Sequence, residues 1–213
     1  MNELKKLNEI NAINQLKEMN PMSKSRFFAL ACALTSVLFF TGCANVKLGA
    51  TGPSAETVAS LKAANIAPAH TGRFELAPGK DPEMDTTLSG LRGSSIAPAK
   101  GSFSKLLQDT LVVELTAAGL YDEKSSKVIE GRLTDSMVDA AIVTGKARLA
   151  AIFTVIDSGK QTFEKELAVD ASWESSFVGG IAIPAAIQQY SALYKALIAR
   201  LADDADFKKA MAR

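Results

Sequence analysis

At 213 residues the chain has room for one ordinary domain with extra segments, or for two small domains. Hydrophobic residues make up 47% and charged residues 22%, enough for a real core, and a formal net charge of +1 gives no global field that would argue for nucleic acid or an acidic partner. One histidine, His70, and two cysteines, Cys32 and Cys43, leave a structural zinc site without the four Cys or His ligands it needs, and no cofactor is expected.

Residues 1–21, MNELKKLNEINAINQLKEMNP, place Leu4, Leu7, Ile10, Ile13 and Leu16 every third position. That is either a weak amphipathic helix or a start assigned too early, with Met22 as the true first residue. From Met22 the order is that of a secretory signal: Lys24 and Arg26, an apolar run from Phe27 to Phe40 of about 14 residues, then a small-residue step. The step is Phe40-Thr41-Gly42-Cys43, which resembles the bacterial lipobox. That resemblance implies cleavage before Cys43 by signal peptidase II and a diacylglycerol thioether on its sulfur. Phe40 departs from the family pattern, which prefers Leu there; Gly42 fits it. The competing reading is an uncleaved membrane anchor, since Phe27–Val46 carries no charge over the roughly 20 residues a span needs. Thr41, Gly42, Cys43, Ala44 and Asn45 make its last third polar for that role. Removal of the apolar run takes Cys32 with it, so the mature chain keeps a single cysteine and has no internal disulfide.

Residues 1–42 are thus read as leader and signal peptide, 43–53 as a lipidated tether and 54–213 as a single periplasmic domain. Ala44–Pro53 is small, polar and Gly-containing. Ser54 can cap a short helix through Asn65. Ile66–Leu76 reads as a strand, placed at a sheet edge by Pro68. Pro78–Pro82 is a turn cluster, and 83–101, with Leu88, Leu91 and Ile96 among small polar residues, reads as a loop with a short extended piece. Ser102 caps a helix carrying Phe103, Leu106, Leu107, Leu111, Leu115 and Ala118, which Gly119 stops and Leu120 closes. Three strands follow: Val128–Val138, Ala147–Ile156 and Gln161–Val169, the last two joined by Asp157-Ser158-Gly159-Lys160. In the third, Phe163, Leu167 and Val169 alternate with polar residues, so one face is expected to be wet. A second long helix has Pro184 in its first turn and Ile187, Tyr190, Leu193, Tyr194, Leu197, Ile198 and Leu201 as its stripe. The tail has one anchor, Phe207. This order predicts an α+β two-layer sandwich, with helices packed on one face of a mainly antiparallel sheet.

Candidate chemistry is sparse. Ser175 and Ser176 could serve as nucleophiles with His70 as base, but no nucleophile-elbow motif surrounds them. Lys100-Gly101-Ser102 has the residues of a phosphate loop in scrambled order. The start of the Ser102 helix, with Lys100 or Arg92, is a candidate anion site; otherwise Ser102 is only a cap. The most unusual stretch is 171–184, ASWESSFVGGIAIP. Trp173 there either finishes a strand against the core or joins Phe177 as an aromatic anchor for a partner or apolar ligand.

Beyond the lipobox, the element order over 54–202 resembles the small α/β lipoproteins of the Gram-negative envelope. Examples are the lipopolysaccharide-assembly lipoprotein and the lipoprotein subunits of lipid-transport ABC systems. The resemblance implies binding rather than catalysis. With Ala44 and Asn45 after the cysteine and no aspartate, it also implies sorting to the outer membrane. The expected function is a non-enzymatic lipoprotein held on the membrane by Cys43 that meets an envelope protein partner or an apolar ligand. An auxiliary subunit of a lipid transporter and a Ser175/Ser176–His70 hydrolase are the alternatives.

Overall fold

The computed structural model describes residues 45–212; Cys43 and the leader lie outside the described residues. The elements are β1 (Asn45–Leu48), α1 (Ala55–Ala63), β2 (His70–Leu76), a 3-10 turn (Pro82–Asp85), β3 (Leu88–Leu91), β4 (Ser94–Pro98), α2 (Phe103–Ala118), β5 (Lys127–Asp139), β6 (Val143–Asp157), β7 (Lys160–Ser175), α3 (Gly179–Asp203) and α4 (Ala205–Ala210). The expected α+β architecture is the one observed. The main sheet has the order β2-β5-β6-β7, with β2 parallel to β5 and the other pairs antiparallel. As Pro68 indicated, β2 is an edge strand.

The inward faces follow from strand period. Along β7, Phe163 and Leu167 are buried and Glu164, Lys165 and Glu166 are exposed. In β5 the register slips between Leu133 and Asp135. Ile129 and Leu133 face inward before the slip, Ser136 and Val138 after it, so the irregularity keeps a long strand facing one core. On the wet face, Arg148 bridges Asp135 and Asp170 at 3.0 and 2.8 Å, across three neighbouring strands. Such exposed pairs contribute little each.

The helices form the second layer. In α2, the Ser102 Oγ accepts from the Lys105 N–H at 3.2 Å, Gly119 takes the left-handed conformation at φ 73°, and the Leu120 N–H returns to the Leu115 carbonyl at 2.8 Å. This is the capped and stopped helix the sequence predicts. Phe103, Leu107, Leu111 and Leu115 are buried from it, and Tyr190, Tyr194, Leu197 and Ile198 from α3. The Tyr190 hydroxyl bonds the Ser136 Oγ (2.7 Å) and the Tyr194 hydroxyl (2.8 Å), so both phenols are satisfied inside the core. Burial pushes both hydroxyls well above the ordinary tyrosine value. In α4, Phe207 is buried edge-on to Phe163, with ring centroids 5.7 Å apart.

Three local expectations are corrected. Residues 83–101 are not a loop: β3 and β4 form a hairpin over the two-residue turn Arg92-Gly93, both at positive φ (52° and 89°), the backbone of a primed hairpin turn. The first part of the supposed tether, Asn45–Leu48, is a strand parallel to β4, so β1-β4-β3 makes a second, three-stranded sheet. Finally, Pro184 is not in a first turn, because α3 begins at Gly179. Burial of Ala182 and Ala186 carries the helix back through two glycines of poor helix propensity, and the Pro184 ring sits on its exposed side.

Candidate functional site: an apolar end built on Arg92

The exposed large hydrophobic side chains of the described residues are Met137, Ile142, Val143, Phe177, Val178 and Ile181. Sheet topology gathers them at one end. Val143 starts β6 opposite Ser175, the last residue of β7. Ile142 precedes it in the β5–β6 turn, Phe177 and Val178 link β7 to α3, and Ile181 lies in the first turn of α3. Met137 is on the adjoining stretch of β5. Isolated exposed apolar residues are ordinary; a cluster drawn from separate segments is a candidate interaction surface.

Arg92 holds this end together. From the β3–β4 turn, its Nε donates to the Ala140 carbonyl (2.6 Å), its Nη1 to the Phe177 carbonyl (2.9 Å) and its Nη2 to the Ser176 carbonyl (2.8 Å) and Ser175 Oγ (3.3 Å). The Ala140 N–H also donates to the Gly90 carbonyl at 2.9 Å. One guanidinium thus ties the β5–β6 turn and the β7–α3 junction to the hairpin. Arg92→Ala is expected to lower stability by about 1.5–3 kcal/mol, the usual value of hydrogen bonds to a charged group, and to loosen both turns. Hydrogen exchange of the Ala140–Val143 and Ser176–Val178 amides reads that loosening; unchanged protection there would contradict the role.

Trp173 and Phe177, singled out together in the sequence, part company in the structure. Trp173 points inward, half-buried against the core cluster, with its ring over Gly145 of the neighbouring strand. A Cβ on Gly145 would fall 2.3 Å from the ring, so that glycine is what makes room for it. The indole Nε1 is buried with no acceptor among the described residues. Phe177 is 79% exposed.

The anion candidates are not brought together. Arg92 is engaged as above, at the opposite end of β4 from Lys100. At the start of α2 the chain supplies its own anion: Asp85 accepts from the Ser104 N–H at 2.6 Å and the Ser104 Oγ at 2.9 Å. Ser102 makes its cap bond and a 2.7 Å contact with the Ser104 Oγ, while Lys100 is exposed. The hydrolase pairing is likewise not assembled. His70 pairs with Val128, which pairs with Ile156, at one end of the main sheet, and Ser175 pairs with Val143 at the other, about thirteen residues along β6 or roughly 40 Å away. Among the described residues no three His, Cys, Asp or Glu side chains are grouped as a metal site would need.

An apolar groove of about 490 Å³ runs along α3, lined by Leu48, Thr51, Pro184, Ile187, Ser191 and Lys195 among others. Ile181, Pro184, Gln188, Ser191 and Lys195 recur at helical spacing, so the groove continues the apolar end along one helix face. Its other wall, the segment after β1, is fixed by the Ser54 N–H donating to both oxygens of buried Glu114 (2.9 and 3.2 Å). Burial raises the Glu114 pKa, against the lowering effect of that bond.

No known family model matches the sequence, and no curated protein matches it. Solved structures with a related arrangement include protein XCC0632 from Xanthomonas campestris, of family DUF330, at 12% identity and a TM-score of 0.44, covering 64% of this chain and 84% of that one. The hypothetical protein CT253 from Chlamydia trachomatis shows 10% identity and a TM-score of 0.40, over 64% of this chain and 96% of its own. A minor lipoprotein from Acinetobacter baumannii shows 17% identity and a TM-score of 0.33, over 64% and 86%.

Proposed function

We propose that this chain is a non-enzymatic lipoprotein of the Gram-negative cell envelope, held by acyl chains on Cys43, that works by binding through the apolar end of its domain. The observation that carries the binding half is the gathering of Ile142, Val143, Phe177, Val178 and Ile181 on a platform fixed by Arg92. The anchoring half rests on the order of charge, apolar run and small step that ends at Cys43. Ala44 and Asn45 after the cysteine favour the outer membrane, periplasmic face. No helix of the described residues is long and apolar enough to cross a membrane. The groove along α3 favours a second reading, in which the bound partner is an apolar ligand such as a lipid chain, as for an auxiliary lipoprotein of a transport system.

Labelled fatty acid tests the anchor. The wild-type chain is expected to incorporate it and to fractionate with membranes. Cys43→Ser is expected to remain an unprocessed precursor without acyl label, and normal labelling of that variant would end the lipoprotein reading.

A further inference from the structure

We propose that the apolar end of the domain seats on the surface of the lipid bilayer that carries its own anchor; this rests on the reading of Cys43 as the acylated residue. The described chain begins at that end. In the parallel register Asn45 lies opposite Ser95, so β1 starts beside the β3–β4 turn, whose Arg92 grips the carbonyls of Ala140, Ser176 and Phe177. Cys43 precedes Asn45 by two residues, which keeps the two Cα atoms within about 7 Å of each other. Acyl chains on that cysteine therefore enter the bilayer close to Phe177, Val178 and Ile142.

The chemistry of the end suits an interface. Its exposed side chains are a phenylalanine, two valines and two isoleucines from two separate turns and the start of a helix, a broad apolar surface rather than a pocket. Asp139, Lys146 and Glu174 around it are exposed and of both signs, so anionic headgroups are not the driving attraction. The surface is also preorganised. The Arg92 bonds fix both turns, and Val143 is held at φ 76°, a conformation β-branched residues rarely adopt. The diacylglycerol on Cys43 carries two acyl chains and is anchor enough to hold the chain on the membrane; what an apolar contact beside it adds is a fixed orientation of the domain.

The test uses the full acylated chain in vesicles of phosphatidylethanolamine and phosphatidylglycerol. An environment-sensitive fluorophore is placed at Phe177→Cys, or at Lys124→Cys in the loop before β5 at the far end of the sheet; both positions are exposed. With Cys43 blocked by lipid, each variant has one reactive thiol. The expected result is a blue-shifted emission at 177, quenched by nitroxide-bearing lipid several-fold more strongly than at 124 and unchanged by high salt. Equal quenching at both positions, or acylated protein with no quenching at 177, overturns the proposal and leaves the lipoprotein reading standing. Crosslinks from 177 to an envelope protein in native membranes, with no quenching at 177 in the vesicles, overturn it in favour of a protein partner. A chain without acyl label overturns the anchoring reading, and this proposal with it.

Discussion

Phe103→Ala is expected to destabilise the domain by about 3–5 kcal/mol, with Leu111→Ala and Leu197→Ala each costing about 2–5 kcal/mol. Phe103 is fully buried at the first turn of α2, edge-on to Tyr190 with centroids 5.8 Å apart. Removing the ring leaves a cavity beside the tyrosine that links Ser136 in β5 to Tyr194 in α3. Collapse into that space would pull the phenol from its two hydroxyl partners, while a rigid cavity forfeits the packing of the whole ring; either way the loss is large. Leu111 and Leu197 are as deeply buried on the same two helices. Urea midpoints at constant slope measure all three, and near-neutral midpoints for the leucine variants would contradict this core.

The second large effect separates two neighbouring aromatics. Trp173→Ala is expected to destabilise the fold by roughly 3 kcal/mol, because the ring fills the space over Gly145 and touches the core. The buried Nε1 without an acceptor returns part of that cost, which keeps the value at the low end of aromatic truncations. Binding should fall only as far as folded protein is lost. Phe177→Ala removes a side chain that is 79% exposed, so stability should move by less than about 0.5 kcal/mol. Binding through the apolar end should instead weaken by about 2 kcal/mol, roughly thirtyfold. Thermal unfolding of each variant, paired with crosslinking of the acylated chain in its native envelope, resolves the two. A large stability loss with unchanged crosslinks for Phe177→Ala would remove it from the working surface.

The fold was legible where periodicity is long. The α2 and α3 stripes and the β5–β7 meander each run for many residues with one face apolar, so a local pattern reports a global layer. It was illegible where an element exists only through its partner. Asn45–Leu48 is four residues of mixed character that become a strand because β4 lies alongside. The β3–β4 hairpin turns on an arginine in left-handed conformation, where Asn or Gly would have announced it. The candidate surface divides in the same way. Trp173 and Phe177 stand out by type and setting, whereas Ile142 and Val143 fall between the strands expected at Val128–Val138 and Ala147–Ile156 and carry no signal of their own until β6 is seen to begin at Val143, on the rim. By sequence, Arg92 is a charge near a helix start. Its role as a clamp depends on two turns, from distant parts of the chain, meeting beside the hairpin.

The attachment at Cys43 is tested most directly by the mass of the amino-terminal tryptic peptide of the protein isolated from membranes. Trypsin cuts after Lys47, so the account predicts a peptide Cys43–Lys47 whose cysteine begins the chain and carries a diacylglycerol thioether. A peptide running from Phe27 to Lys47 with an unmodified thiol would contradict it.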